Sequence, residues 1–79
     1  MGNPIPPLDE TAAYDRAIRH VTGLAAEASR LAEDDPRWGG IRDELAHRRA
    51  TLRPQDRDGV RAALATTVAD LAARLDRPR

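Results

Sequence analysis

Apolar residues recur at helical spacing in three stretches of the chain. In the first, Tyr14, Ala17, Val21, Leu24, Ala28 and Leu31 follow one another at steps of three and four, and Ile18, Ala25 and Ala32 widen the stripe by one position. A stripe of this kind covers one face of a helix and turns it towards a core. In the second stretch Trp38, Ile41, Leu45 and Leu52 line up, with Arg48 standing where another apolar residue is expected. In the third the stripe is Val60, Leu64, Val68, Leu71 and Leu75.

The residues between the stripes set the boundaries. Prolines at positions 4, 6 and 7 fix φ, remove backbone donors and bias their predecessors to extended conformations, so residues 1–8 are expected to form an extended arm. Asp9 then reads as an N-cap, with Glu10 adding negative charge at the positive end of the helix dipole. Asp35 followed by Pro36 reads as the cap and first position of a second helix. Arg53 and Pro54 interrupt the pattern, and the acids of PQDRDG suit the first turn of a third helix. The prediction is an all-α fold: a three-helix up-down-up bundle spanning 9–77, with helices over about 10–34, 36–52 and 54–76. Connections this short make successive helices antiparallel. Gly23 is the weak point of the first helix.

Composition limits how well such a bundle can close. A chain of 79 residues buries only about 60% of its surface on folding. The only aromatic side chains are Tyr14 and Trp38, and alanine supplies much of the apolar complement. There is no cysteine, so neither disulfides nor thiolate metal ligands can compensate for a thin core. Self-association is the remaining common remedy, and a homo-oligomer or a complex with another protein is the expected state.

Charge is balanced overall and uneven along the chain. Residues 1–35 carry seven acids against three arginines, and residues 36–61 carry seven arginines against four acids. Every basic side chain other than the two histidines is arginine, which reads as codon habit before chemistry. A net charge of zero offers no global field for nucleic acid or an anionic membrane. No apolar run approaches a bilayer crossing, and the opening residues lack a secretory pattern, so the expected location is cytoplasmic with no membrane partner.

The densest local feature is HRRATLR, which places His47, Arg48, Arg49 and Arg53 at the end of the second helix. Such a cluster can grip phosphate or an acidic partner face. It also complements the helix dipole, with Asp43–His47 and Glu44–Arg48 as ordinary pairs four residues apart, as are Asp15–Arg19 and Asp70–Arg74. Trp38, before Gly39 and Gly40, suits either a core cap or a partner anchor. The glycine pair would permit close helix approach or cradle a phosphate at the helix start, although its spacing matches no phosphate-binding fingerprint.

Catalytic chemistry finds little support. His20 and His47 fall on different predicted helices with no metal-ligand spacing, and Ser29 is the only serine, in mid-helix. The sequence therefore predicts no enzyme, no cofactor and no metal. It is read as a small interaction or regulatory module that self-associates or docks on a partner through its long helices, using Tyr14, Val21, Trp38, Arg48, Arg49 and Arg53. The alternative is a nucleic-acid-associated or phosphate-binding factor in which Arg48, Arg49, Arg53, Arg57 and Arg61 line the turn between helices 2 and 3. Against it stand the neutral chain and the lack of aromatic residues interleaved for base stacking.

Overall fold

The structure, a computed structural model, describes residues 7–76, with side chains described from Thr11 onward. Among these residues the fold is entirely helical: α1 (Pro7–Leu31), α2 (Arg37–Thr51), α3 (Arg57–Ala65) and α4 (Val68–Asp76). There are four helices where the stripes predict three, because the third is broken in two.

The first helix begins earlier than expected. Pro7 and Leu8 belong to α1, and Pro7 takes the first position, where a missing N–H costs nothing and a fixed φ suits the helix. The expected arm therefore shortens, and residues 1–6 of it lie outside the described residues. At its other end α1 stops at Leu31 rather than position 34. Glu33 and Asp34 donate to Arg30 and Leu31 at 3.2 and 3.1 Å, a tightened last turn. Pro36 disfavours helical geometry at Asp35 and has no N–H with which to continue the ladder.

Helix α2 starts at Arg37, one residue later than expected. Pro36, the residue before the helix, is in αR geometry, and the Asp35 carboxylate accepts from the Arg37 N–H at 3.1 Å. The turn folds α2 back antiparallel along α1, the most extensive contact in the molecule. The chain leaves α2 at Leu52 in extended geometry, with ψ 137°. Asp56 then caps α3 by accepting from Gly59 N–H at 2.9 Å.

The break at Thr66–Thr67 has three local causes. Thr66, Thr67 and Val68 are consecutive β-branched residues, which are weak helix formers. Thr66 leaves the helix at ψ 134° while its hydroxyl donates to the Ala62 carbonyl at 2.8 Å. Thr67 and Asp70 cap α4 reciprocally: Thr67 Oγ1 accepts from Asp70 N–H at 3.1 Å, and an Asp70 carboxylate oxygen accepts from Thr67 N–H at 3.0 Å. The Thr66 carbonyl, freed from the ladder, accepts a hydrogen bond from His20 Nε2 on α1 at 2.6 Å.

The core runs between α1 and α2, with α3 closing one end and α4 the other. Ala17, Val21, Leu24 and Ala28 are buried from α1, Trp38, Ile41 and Leu45 from α2, and Leu52 from the following turn. Val60, Ala63 and Leu71 complete it from the broken leg. Leu64, Val68 and Leu75 of the predicted third stripe are only half-buried, and Ala63, off that stripe, is buried instead. α3 packs on α1 and α4 rests on α2. The result is elongated, 56 × 22 × 18 Å. Among the described residues, no helix is long and apolar enough to cross a membrane.

Candidate interaction surface

The six residues singled out from the sequence separate into two groups. Val21, 1% exposed, and Trp38, 8% exposed, lie in the core of a single chain, so neither presents a surface in this protomer. Tyr14 is half-buried against that core from the first half of α1. Arg48 is half-buried at its position on the α2 stripe, whereas Arg49 and Arg53 are exposed. A long arginine can lay its methylenes along apolar neighbours and keep its guanidinium in water, which explains how Arg48 replaces an apolar residue.

A shallow open pocket of about 260 Å³ lies beside Arg48, lined also by Thr51, Leu52, Asp56, Gly59 and Ala62. Its polar groups are mostly engaged. The Thr51 hydroxyl donates to the His47 carbonyl at 3.0 Å, and the Asp56 carboxylate holds Gly59 N–H. An Asp56 carboxylate in the same lining as Arg48 makes the pocket a poor seat for phosphate, and no nucleophile with an adjacent base converges on it.

The glycine pair plays neither of the parts expected of it. An added Cβ would meet nothing within 4 Å at Gly40, and only Arg42 Nη2, at 3.7 Å, at Gly39, so no close helix approach depends on them. A phosphate cradle is equally unsupported. Trp38 N–H donates to the Asp35 carbonyl at 3.0 Å, Gly39 N–H to the Pro36 carbonyl at 2.9 Å, and Arg37 N–H is held by the Asp35 side chain.

Ion pairing also departs from the helix-spacing expectation. Asp70 is committed to capping α4, so Arg74 reaches across to α2 and donates to both carboxylate oxygens of Glu44, at 2.8 and 3.0 Å. Glu44 is thereby unavailable to Arg48 as a close partner. The Arg74 guanidinium holds the Glu44 carboxyl below the usual carboxylate range, with Arg48 adding a smaller effect from a distance. Arg37 forks onto Asp35, lowering that carboxyl too, and also donates through Nη1 to the Leu75 carbonyl at 3.1 Å. A cation thus meets the negative end of α4 and ties it to the α1–α2 turn. These cross-helix roles of Arg37 and Arg74 leave no signature in sequence spacing. The Thr67-x-x-Asp70 cap does leave one, a threonine and an acid three residues apart ahead of an apolar run.

Among the described residues no group of histidines and acids is arranged to hold a metal ion. His20 is occupied with Thr66, and His47 is exposed in the last turns of α2. What the arrangement offers is a surface: an arginine-rich end, and flanks of half-covered apolar side chains. No protein-family model, curated protein or solved structure matches the chain.

Proposed function

We propose that this protein is a small non-catalytic interaction module that binds protein through its helices, its own copies first. The observation that carries this reading is the incompleteness of the core. Among the described residues the buried core is short of large side chains, with Ala17, Ala28 and Ala63 among its members, while Tyr14, Ile18, Leu31, Leu64, Val68 and Leu75 are only half-covered by the chain itself. Each stops short of the roughly 1.5–3 kcal/mol that complete burial of such a side chain contributes. A protein surface laid on these flanks would supply the rest, and no disulfide can substitute for it.

Solution mass by light scattering, at two protein concentrations and at low and high salt, tests the reading. The expected result is a dimer or larger species at micromolar concentration. A strict monomer up to about 100 μM, an affinity barely above the weakest specific associations, would overturn it.

A further inference from the structure

Charge is sorted along the length of the molecule. Near the α1–α2 turn the arginines are neutralised within the chain: Arg30 with Glu27, Arg37 with Asp35, Arg42 with Asp43, and Arg74 with Glu44. At the opposite end the pattern reverses. Among the described residues Arg16, Arg19, Arg48, Arg49, Arg53 and Arg61 form no ion pair. The antiparallel hairpin, with α3 against α1, gathers them in the half of the molecule away from the turn. The described acids there are Asp15 and Asp58, both exposed, and Asp56, already used as a cap, while Asp9 and Glu10 precede them in the first turn of α1.

The turn carries the complementary surplus. Glu33 and Asp34 are exposed and form no ion pair among the described residues, and Asp76 lies close enough to Arg37 to strengthen its hold on a proton. The two ends cannot neutralise each other within one chain. From Arg16 to the end of α1 at Leu31 the helix covers about 22 Å, more than twice the Debye length of about 8 Å at physiological salt.

We propose that the partner is a second copy of this chain laid antiparallel beside the first, the arginine end of each against the Glu33–Asp34 turn of the other. This rests on the interaction reading above and names its partner and orientation. The same contact is made twice about a two-fold axis, so the assembly closes as a dimer instead of growing into a filament. Between the charged ends runs the flank where α4 leaves Val68, Ala72 and Leu75 half-covered, which supplies apolar area to the same contact. A polyanion fits less well, because the chain is neutral overall, Trp38 is buried, and Tyr14 is half-buried with no second aromatic beside it to build a stacking platform.

The lack of native cysteine makes orientation directly measurable. Spin labels at exposed positions, Ser29→Cys near the turn and Ala50→Cys near the arginine end, should show a short inter-chain distance in a mixture of the two variants and longer distances when each is labelled alone. Raising salt from 50 to 500 mM, or introducing Arg49→Glu with Arg53→Glu, should weaken the dimer about tenfold, and adding Glu33→Arg with Asp34→Arg to that variant should restore it. Unchanged circular dichroism verifies that the variants fold. A dimer with short like-to-like distances, or one indifferent to these charges, overturns the antiparallel pairing while leaving the interaction module intact. A mass that climbs beyond two copies overturns closure, and tight retention of an oligonucleotide at physiological salt reassigns the arginine end. A monomer under every condition overturns both proposals.

Discussion

Two glycines in this chain look alike in the sequence and differ in what they do. An added Cβ at Gly59 would overlap the Asp56 carboxylate and sit 2.8 Å from its Cγ, so the bare glycine is what lets the cap close on the first turn of α3. Asp56→Ala should cost about 1 kcal/mol in urea unfolding, the usual worth of an N-cap. In a Gly59→Ala background the carboxylate has already been displaced, and the same change should cost less than about half of that, a non-additivity that a double-mutant cycle reads directly. At Gly23, exposed in mid-helix, an added Cβ meets nothing within 4 Å. Gly23→Ala should therefore stabilise the fold by about 0.5–1 kcal/mol, seen as a higher Tm.

Among the elements, α1 and α2 were legible from residue spacing and the third leg was not. The α1 stripe reads directly because every buried position on it obeys one helical period, and the Asp35–Pro36 start of α2 has a local chemistry of its own. Val60, Leu64, Val68, Leu71 and Leu75 also keep one period, and that continuity conceals the break at Thr66–Thr67. The reciprocal threonine–aspartate cap was present in the sequence and is outweighed there by the stripe. The hydrogen bond from His20, 46 positions away, has no local signal at all. Arg48, Arg49 and Arg53 could be placed at one end of a helix from sequence, but the lack of a carboxylate partner at Arg48 depends on Glu44 being engaged by Arg74. The link between α2 and α4 should respond to acid. Because Arg74 holds the folded Glu44 carboxyl low, its contribution is complete above the ordinary glutamate value of about 4.3 and is lost as pH falls through the lower folded value. With both side chains close to half exposed, that contribution is on the order of 0.5 kcal/mol. Glu44→Gln should remove this part of the acid limb when stability is followed by denaturant unfolding between pH 6 and 3, about the span over which carboxylates titrate.

For the molecule as a whole, the unequal contacts of the two halves of the third leg predict unequal stability. Helix α4, which rests mainly on α2 and buries Leu71 alone, should lose amide protection in hydrogen exchange well before α1 and α2, while α3, seated on α1, should fall between them. A pattern in which all four helices exchange together would show that the leg behaves as one unit. The long axis has a further physical consequence. The Cα radius of gyration is 15.0 Å, against about 11–12 Å for a compact chain of this length. Such a rod experiences more friction than a sphere of equal mass, so it migrates through a porous matrix as if it were heavier. A single copy would elute ahead of a compact monomer, between it and a compact dimer, and the intensity of scattered light, which counts mass without regard to friction, separates a rod-like monomer from a true dimer.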